Sequence, residues 1–251
     1  MSPAPVHPLL GRVVVVTGAA RGIGAAVAAA LRTEGALVVG VDRDPSPEAD
    51  AQIVADLADR AQLEGVISRV WSEHGRLDAL VNNAGLARHA PLNGLDLDEL
   101  DLMWAVNVRA TVALTRDAMR VMARPAGAGG RIVNVISTAG LQGQPGEAAY
   151  CASKAAVRGF TEAAAEEGRL VGVHVTGIYP AGVSTGFWDD AVADRAAFTG
   201  DKSWLEPAAV ATQVVAVLAL PPGIEVPTLV VRQAGDVDVG AVERKLGLVR
   251  R

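Results

Sequence analysis

Tyr150 and Lys154 stand four residues apart in the run Tyr150-Cys151-Ala152-Ser153-Lys154. On a helix that spacing puts a phenol and an ammonium on one face, one turn apart. An unperturbed phenol has a pKa of about 10 and exchanges protons poorly at neutral pH. A neighbouring cation favours the phenolate and draws the group toward working pH, which makes the pair a candidate for general acid–base chemistry. The same spacing also occurs in ordinary surface pairs. Its weight comes from a second motif, Thr17-Gly18-Ala19-Ala20-Arg21-Gly22-Ile23-Gly24, near the start of the chain. Glycines there permit a tight turn and close approach of a pyrophosphate, and a following helix N-terminus presents N–H groups and a positive dipole end.

The elements needed to position these residues are legible as alternating strands and helices. Val13–Val16 is wholly apolar and β-branched, as a strand buried on both faces requires. Leu37–Val41, Gln52–Ala55, Leu77–Val81, Arg131–Ile136, Val171–Ile178 and Thr228–Arg232 read as further strands. Helical spacing marks Gly22–Glu34, a segment from Leu63 to Gly75, Leu97–Ala123, Tyr150–Glu167 and Ala208–Leu220. The glycine loop therefore joins a buried strand to a helix, the setting that makes it informative. No repeat or linker divides the series. The expected architecture is a single α/β domain over residues 1–251, a parallel sheet of about seven strands with helices on both faces.

Asp42 closes the second strand, where a dinucleotide site places a carboxylate on the adenosine ribose. A carboxylate repels a 2′-phosphate, so Asp42 argues for NAD over NADP. Arg21 and Arg43 are the alternative, since either guanidinium could meet that phosphate.

Composition bounds the remaining possibilities. The 251 residues are half hydrophobic and carry a net charge of −5, with no basic stripe, which argues against a nucleic-acid partner. No apolar run approaches the length of a membrane span. Met1 to Leu10 holds three prolines and no apolar core, unlike a secretory signal. Cys151 is the single cysteine, so an intrachain disulfide is impossible and a cytoplasmic location is expected. His7, His74, His89 and His174 share no ligand spacing, and no metal is expected.

Together the glycine loop, Asp42, Asn82-Asn83-Ala84-Gly85 and Tyr150-x-x-x-Lys154 resemble the classical short-chain dehydrogenase/reductase family, from about Val13 to Val231. The resemblance implies a Rossmann fold with a doubly wound sheet, and hydride transfer between a nicotinamide cofactor and a secondary alcohol or ketone. It makes Ser137, Tyr150, Lys154 and Asn107 the catalytic set. Ser137, thirteen residues before Tyr150, would bind the substrate oxygen, with Thr138 a competitor one residue short of that spacing. The backbone of Asn107 would hold a water in a proton relay, and Lys154 would also hold the nicotinamide ribose.

By the same resemblance Gly18, Arg21, Gly22, Ile23, Gly24, Asp42, Arg43, Asp56, Leu57, Asn83, Ala84 and Gly85 would bind the cofactor. Pro180, Val183 and Thr185 would meet the nicotinamide. The chain departs from the family at Pro180-Ala181-Gly182, where Pro-Gly is usual, and lacks the glycine-rich ending of 3-oxoacyl carrier-protein reductases. An NADP-dependent ketoreductase of secondary metabolism or of 3-oxoacyl groups, and a non-catalytic dinucleotide sensor, are the rival readings. A homotetramer is implied, with the helices at Leu97–Ala123 and Tyr150–Glu167 packing across a two-fold axis. The segment Ser184–Leu205 matches the family's lid. Its rings Phe187, Trp188, Phe198 and Trp204 suggest an apolar wall for a bulky substrate, or alternatively pins for short helices. Asp189, Asp190, Asp194, Asp201, Arg195 and Lys202 accompany them.

Overall fold

A computed structural model describes residues 7–123, 129–189 and 204–234. Seven strands form one sheet: β1 (Val13–Thr17), β2 (Leu37–Asp42), β3 (Ala51–Val54), β4 (Ala79–Asn82), β5 (Arg131–Val135), β6 (His174–Pro180) and β7 (Thr228–Val231). Every neighbouring pair is parallel, in the order β3-β2-β1-β4-β5-β6-β7. Strand order reverses beside β1, and open sheets of this kind bind ligands at that switch point, outside the carboxyl ends of the strands.

Alternation along β1 shows why the sheet needs helices on both sides. Val13 and Val15 enter one apolar core with Leu80, Ile132, Ile67 and Leu114. Val14 and Val16 enter the other with Leu31, Val133, Val214 and Leu218. A period of two sends successive side chains to opposite faces, so a run of four valines serves both. The first core is covered by α3 (Val66–His74), α5 (Thr111–Met122) and α6 (Ala148–Val171), and the second by α1 (Gly22–Thr33) and α7 (Pro207–Leu218).

Most expected boundaries shift by a residue or two, and three differences are larger. The sixth strand begins at His174, because α6 continues to Val171 and stops where Gly172 takes a left-handed φ of 75°. The apolar run Val171–Val173 resembled a strand while belonging to a helix end. The helix expected from Leu63 is two pieces, a short α2 (Arg60–Leu63) capped by Asp59 and then α3, separated by Gly65 at φ 93°. The long helix expected over Leu97–Ala123 consists of α4 (Leu97–Met103), a π-helical segment Trp104–Ala110, and α5. Asn107 lies at the middle of the π-helical segment. Such wide turns recur at functional sites because they displace one residue's backbone from the regular ladder.

Candidate active site

The glycine loop lies over the carboxyl end of β1. Gly18 and Gly22 have φ of 65° and 58°, a region that side chains with a Cβ disfavour. At Gly24 the constraint is space: a Cβ would stand 1.9 Å from the Gly18 carbonyl oxygen and 2.6 Å from Asn83 Nδ2. A methyl there would push the loop off the first turn of α1. The Thr17 hydroxyl accepts from the amides of Asn83 and Ala84, both at 3.0 Å. Asn83 Nδ2 donates in return to the carbonyls of Thr17 (3.0 Å) and Gly18 (3.1 Å). These bonds fasten the end of β4 to the loop, so two segments distant in sequence form one cradle.

Asp42 is fixed as tightly. One carboxylate oxygen accepts from Ala20 N at 3.0 Å and the other from Asp44 N at 3.2 Å. Lone pairs remain on both oxygens for further donors. Asp56 shapes the next turn by accepting from Ala58 N at 2.9 Å. Arg109, from the π-helical segment, donates to the Ala58 carbonyl and ties that turn down.

At the other end of the cleft, Tyr150 and Lys154 are each only 5% exposed. Lys154 Nζ donates to the Val135 carbonyl at 3.2 Å and lies 5.8 Å from the Tyr150 ring centre. Burial lowers its pKa to about 8. Burial also raises the pKa of the Tyr150 phenol, and the charge of Glu147 adds to the rise, while a hydrogen bond from Ser137 opposes it. The expectation that Lys154 draws the phenol down does not match this balance, in which desolvation prevails. The same hydrogen bond sets Ser137 beside the phenol, and its oxygen also accepts from Ala139 N at 3.0 Å.

Asn107 stands behind this group. Its Nδ2 donates to the Leu86 carbonyl (2.9 Å) and to Ser153 Oγ (3.0 Å), and its Oδ1 accepts from Leu86 N (2.9 Å). Ser153 Oγ in turn donates to the Tyr150 carbonyl at 2.8 Å. The Asn107 side chain thus braces the helix that carries Tyr150, and its carbonyl accepts from Thr111 Oγ1 at 2.9 Å. Asn82 has a structural position in the sheet. It donates to Thr115 Oγ1 (3.0 Å) and to Asn134 Oδ1 (2.8 Å), and Asn134 donates to Thr161 Oγ1 (2.8 Å).

One cleft of about 830 Å³ joins the two ends. Gly18, Arg21, Gly22, Ile23, Asp42, Arg43, Asp56, Leu57, Asn83, Ala84 and Gly85 line one part of it. Ser137, Thr138, Tyr150, Lys154, Pro180, Val183 and Thr185 line the rest. Gly24 and Asn107 support it from behind. At Gly85 a Cβ would stand 3.2 Å from Asn107 Oδ1 and 3.6 Å from Lys154 Nζ, so the backbone there passes close to both side chains. A glycine-lined cradle, a carboxylate at the end of β2 and a volume in the range of small-ligand sites fit a dinucleotide.

The departure at Pro180-Ala181-Gly182 has a physical reason. Pro180 ends β6, and Ala181 N donates to the Val231 carbonyl at 2.8 Å, so the ladder continues. The Trp204 ring covers Gly182, where a Cβ would lie 2.9 Å from the indole. Val183 bridges to Leu205. Phe187 and Trp188 sit on a short turn, Gly186–Trp188, begun by Thr185. Their rings meet Tyr150 at centroid distances of 6.0 and 5.6 Å. Phe198, Asp190, Asp194, Arg195, Asp201 and Lys202 lie outside the described residues.

Sequence reasoning missed Ser153, Thr17, Glu147 and Arg109. Ser153 had a signal, a buried small polar residue on the helix face shared with Tyr150. The others touch partners more than twenty residues away or act through space, and no local pattern marks them. Among the described residues no helix is long and apolar enough to cross a membrane, and no cluster of His, Cys, Asp and Glu is placed to hold a metal.

Comparison with known proteins gives the same direction. A galactitol 2-dehydrogenase of Agrobacterium fabrum is 35% identical over 216 residues, covering 82% of this chain and 84% of the relative. A serine dehydrogenase solved with NADP+ superposes with a TM-score of 0.82 at 27% identity, covering 90% of this chain and 96% of the other. A 3-ketoacyl-(acyl-carrier-protein) reductase of Brucella melitensis solved with NADH gives 0.79 at 26% identity, covering 91% and 100%. The family model described as short chain dehydrogenase matches residues 12–196. With that match over most of its length, the chain belongs to the short-chain dehydrogenase family of oxidoreductases.

Proposed function

We propose that the protein is an NAD-preferring dehydrogenase that interconverts a secondary alcohol and a ketone through Ser137, Tyr150 and Lys154. The observation that carries this reading is the convergence of those three side chains on the cleft that the glycine loop opens. Gly18, Gly22, Asp42, Asn83 and Lys154 would hold the dinucleotide, which supplies the hydride acceptor or donor when bound. The Ser137 hydroxyl holds the substrate oxygen. The Tyr150 phenol, kept protonated at neutral pH by burial, gives a proton to that oxygen in ketone reduction and takes it back in alcohol oxidation. Lys154, with a pKa near 8, is mostly charged at neutral pH and passes protons outward beside Asn107. The convergence also speaks against a purely sensing role, which needs the cradle and no proton-exchanging set.

Asp42 supports NAD, because a carboxylate at the end of β2, on the cleft, repels a 2′-phosphate. Phe187 and Trp188, edge-on to each other at 5.3 Å and both against Tyr150, support a bulky, ring-bearing substrate. Exposed Leu97 and Trp104 and the exposed small residues Ala148, Ala152 and Ala155 of α6 support assembly into a homotetramer through these helices. A single cysteine suits a reducing cytoplasm. The test is a panel of alcohols and ketones with NAD(H) and NADP(H), read by absorbance of the reduced nicotinamide. Transfer with cyclic or aromatic substrates is expected, and no transfer with any member would refute the proposal.

A further inference from the structure

Four cations line the cleft among the described residues: Arg21, Arg43, Arg88 and Lys154. Arg21 and Arg43 belong to the glycine loop and the end of β2, and Lys154 is buried and donates to the Val135 carbonyl. Arg88 has no part in the chemistry above. It follows Ala87, which packs in one cluster with Tyr150, Met103 and Ala139, joined by Phe187 and Trp188. Its side chain is 29% exposed, so it meets the cleft beside the reacting end without being sealed from water. The guanidinium is held in place but not used up. Nη1 donates to the Ala87 carbonyl at 2.9 Å, and Nε lies 2.6 Å from Oε2 of Glu99 in α4. That ion pair is close yet poorly aligned, since Glu99 Oε2 makes no hydrogen bond. Nη2 makes no hydrogen bond to any described residue. Glu147, also on the cleft and 9% exposed, has a partner of its own, and Glu99 is the one acid that pairs with Arg88 among the described residues. A guanidinium carries five N–H donors in a planar fork that matches a carboxylate with two parallel bonds. Here two contacts fix its position and leave donors over for the cleft.

Resting on the dehydrogenase reading above, we infer that Arg88 is a specificity-determining residue that anchors a carboxylate on the substrate. The substrate is then an oxo acid, or the matching hydroxy acid, with an apolar body between its carboxylate and the reacting carbon. The carboxylate takes the open donors of the guanidinium, the body lies against Phe187 and Trp188, and the carbonyl reaches Ser137 and Tyr150. In reduction, hydride passes from the reduced nicotinamide to the carbonyl carbon, the C=O π bond opens, Tyr150 gives its proton to the oxygen, and the carboxylate leaves unchanged.

Two pairs of probes share one phenyl ring and one acetyl group: 4-acetylbenzoate with 4-acetylbenzamide, and 3-acetylbenzoate with 3-acetylbenzamide. Within a pair the shape is kept and the charge differs. The readout is the ratio of kcat/KM, acid over amide, for reduction with NADH. The native protein is expected to prefer the acid by about tenfold or more in at least one pair, as hydrogen bonds to a charged group imply. The preference should shrink as salt rises, because Arg88 is part-exposed. Arg88→Gln should bring the ratio to about one or below, and Arg88→Lys, which keeps the charge and loses the fork, should retain only part of it. Glu99→Gln removes the competing anion and should raise the ratio by about fivefold. NADH binding followed by fluorescence checks that the variants stay folded. Turnover of the ketones with a native ratio of one or less in both pairs, or with a ratio unmoved by Arg88→Gln and Glu99→Gln, would overturn the inference while leaving the dehydrogenase reading intact. Hydride transfer to none of the four would overturn that reading for ring-bearing substrates and this inference with it.

Discussion

Replacing Asp42 tests the cofactor assignment, and the structure says how to do it. The carboxylate has two roles. It accepts from Ala20 N and Asp44 N, holding the glycine loop, and on the proposed reading it opposes an anion at the ribose. A unit charge pair about 4 Å apart interacts by about 1 kcal/mol in water and about 4 kcal/mol near a protein surface of intermediate dielectric. Asp42 is half-buried on the cleft rim, so the repulsion lies between these limits. That corresponds to roughly five-fold to several-hundred-fold discrimination, opposed in part by Arg21 and Arg43. A native preference for NAD of at least about tenfold in kcat/KM follows. Asp42→Ala removes repulsion and both loop bonds together, each worth about 1 kcal/mol, so activity should fall with both cofactors. Asp42→Asn keeps one acceptor oxygen and should isolate the charge. NADP activity rises by about tenfold or more while NAD activity falls only slightly. The preference should also shrink at high salt, as rim charges are screened. A native preference for NADP, or a ratio unmoved by both substitutions, would refute the reasoning and assign the phosphate to Arg21 and Arg43.

Four further outcomes are expected. Gly24→Ala should abolish NADH binding, measured by fluorescence titration, because its Cβ would collide with the Gly18 carbonyl; normal affinity would contradict the cradle. Lys154→Met should destroy turnover yet raise stability to urea by up to about 3 kcal/mol at pH 7, since the folded lysine is held near pKa 8 instead of 10.5. The unfolded chain binds more protons between those values, so the native protein regains stability as pH rises from 8 to 10.5 and the gap between native and variant should close there. A gap independent of pH would contradict this. Trp188→Ala should raise KM for ring-bearing substrates more than for small ones, and light scattering at micromolar concentration should give a tetramer. Equal KM changes would remove the apolar wall, and a monomer would remove the interface at α4 and α6.

The parts of the fold carried by local pattern were readable in the sequence. The four valines of β1 announce a strand buried on both faces, and all seven strands fall where apolar runs placed them, within a few residues. Val171 to Val173 misled because an apolar helix end followed by glycine has the composition of a strand. The π-helical segment was invisible, since no propensity distinguishes a wide turn from a regular one, although an asparagine in an apolar helix marked its centre. At the site, motif residues were legible because each answers a local demand, such as the φ of Gly18 or the spacing of Tyr150 and Lys154. The bracing by Ser153, the clasp at Thr17 and the buried charge of Glu147 depend on what the fold brings beside them. So does the balance at Tyr150, where burial prevails over the hydrogen bond from Ser137.

The central claim is that Tyr150 exchanges the proton with substrate while other residues hold the cofactor. Tyr150→Phe removes one hydroxyl and leaves the ring against Phe187 and Trp188. The measurement is hydride transfer to NAD alongside NADH affinity, in the native protein and this variant. The account predicts a fall in kcat of at least about 10²–10⁴-fold with NADH affinity unchanged. Turnover near the native rate, with the cofactor still bound, would contradict it.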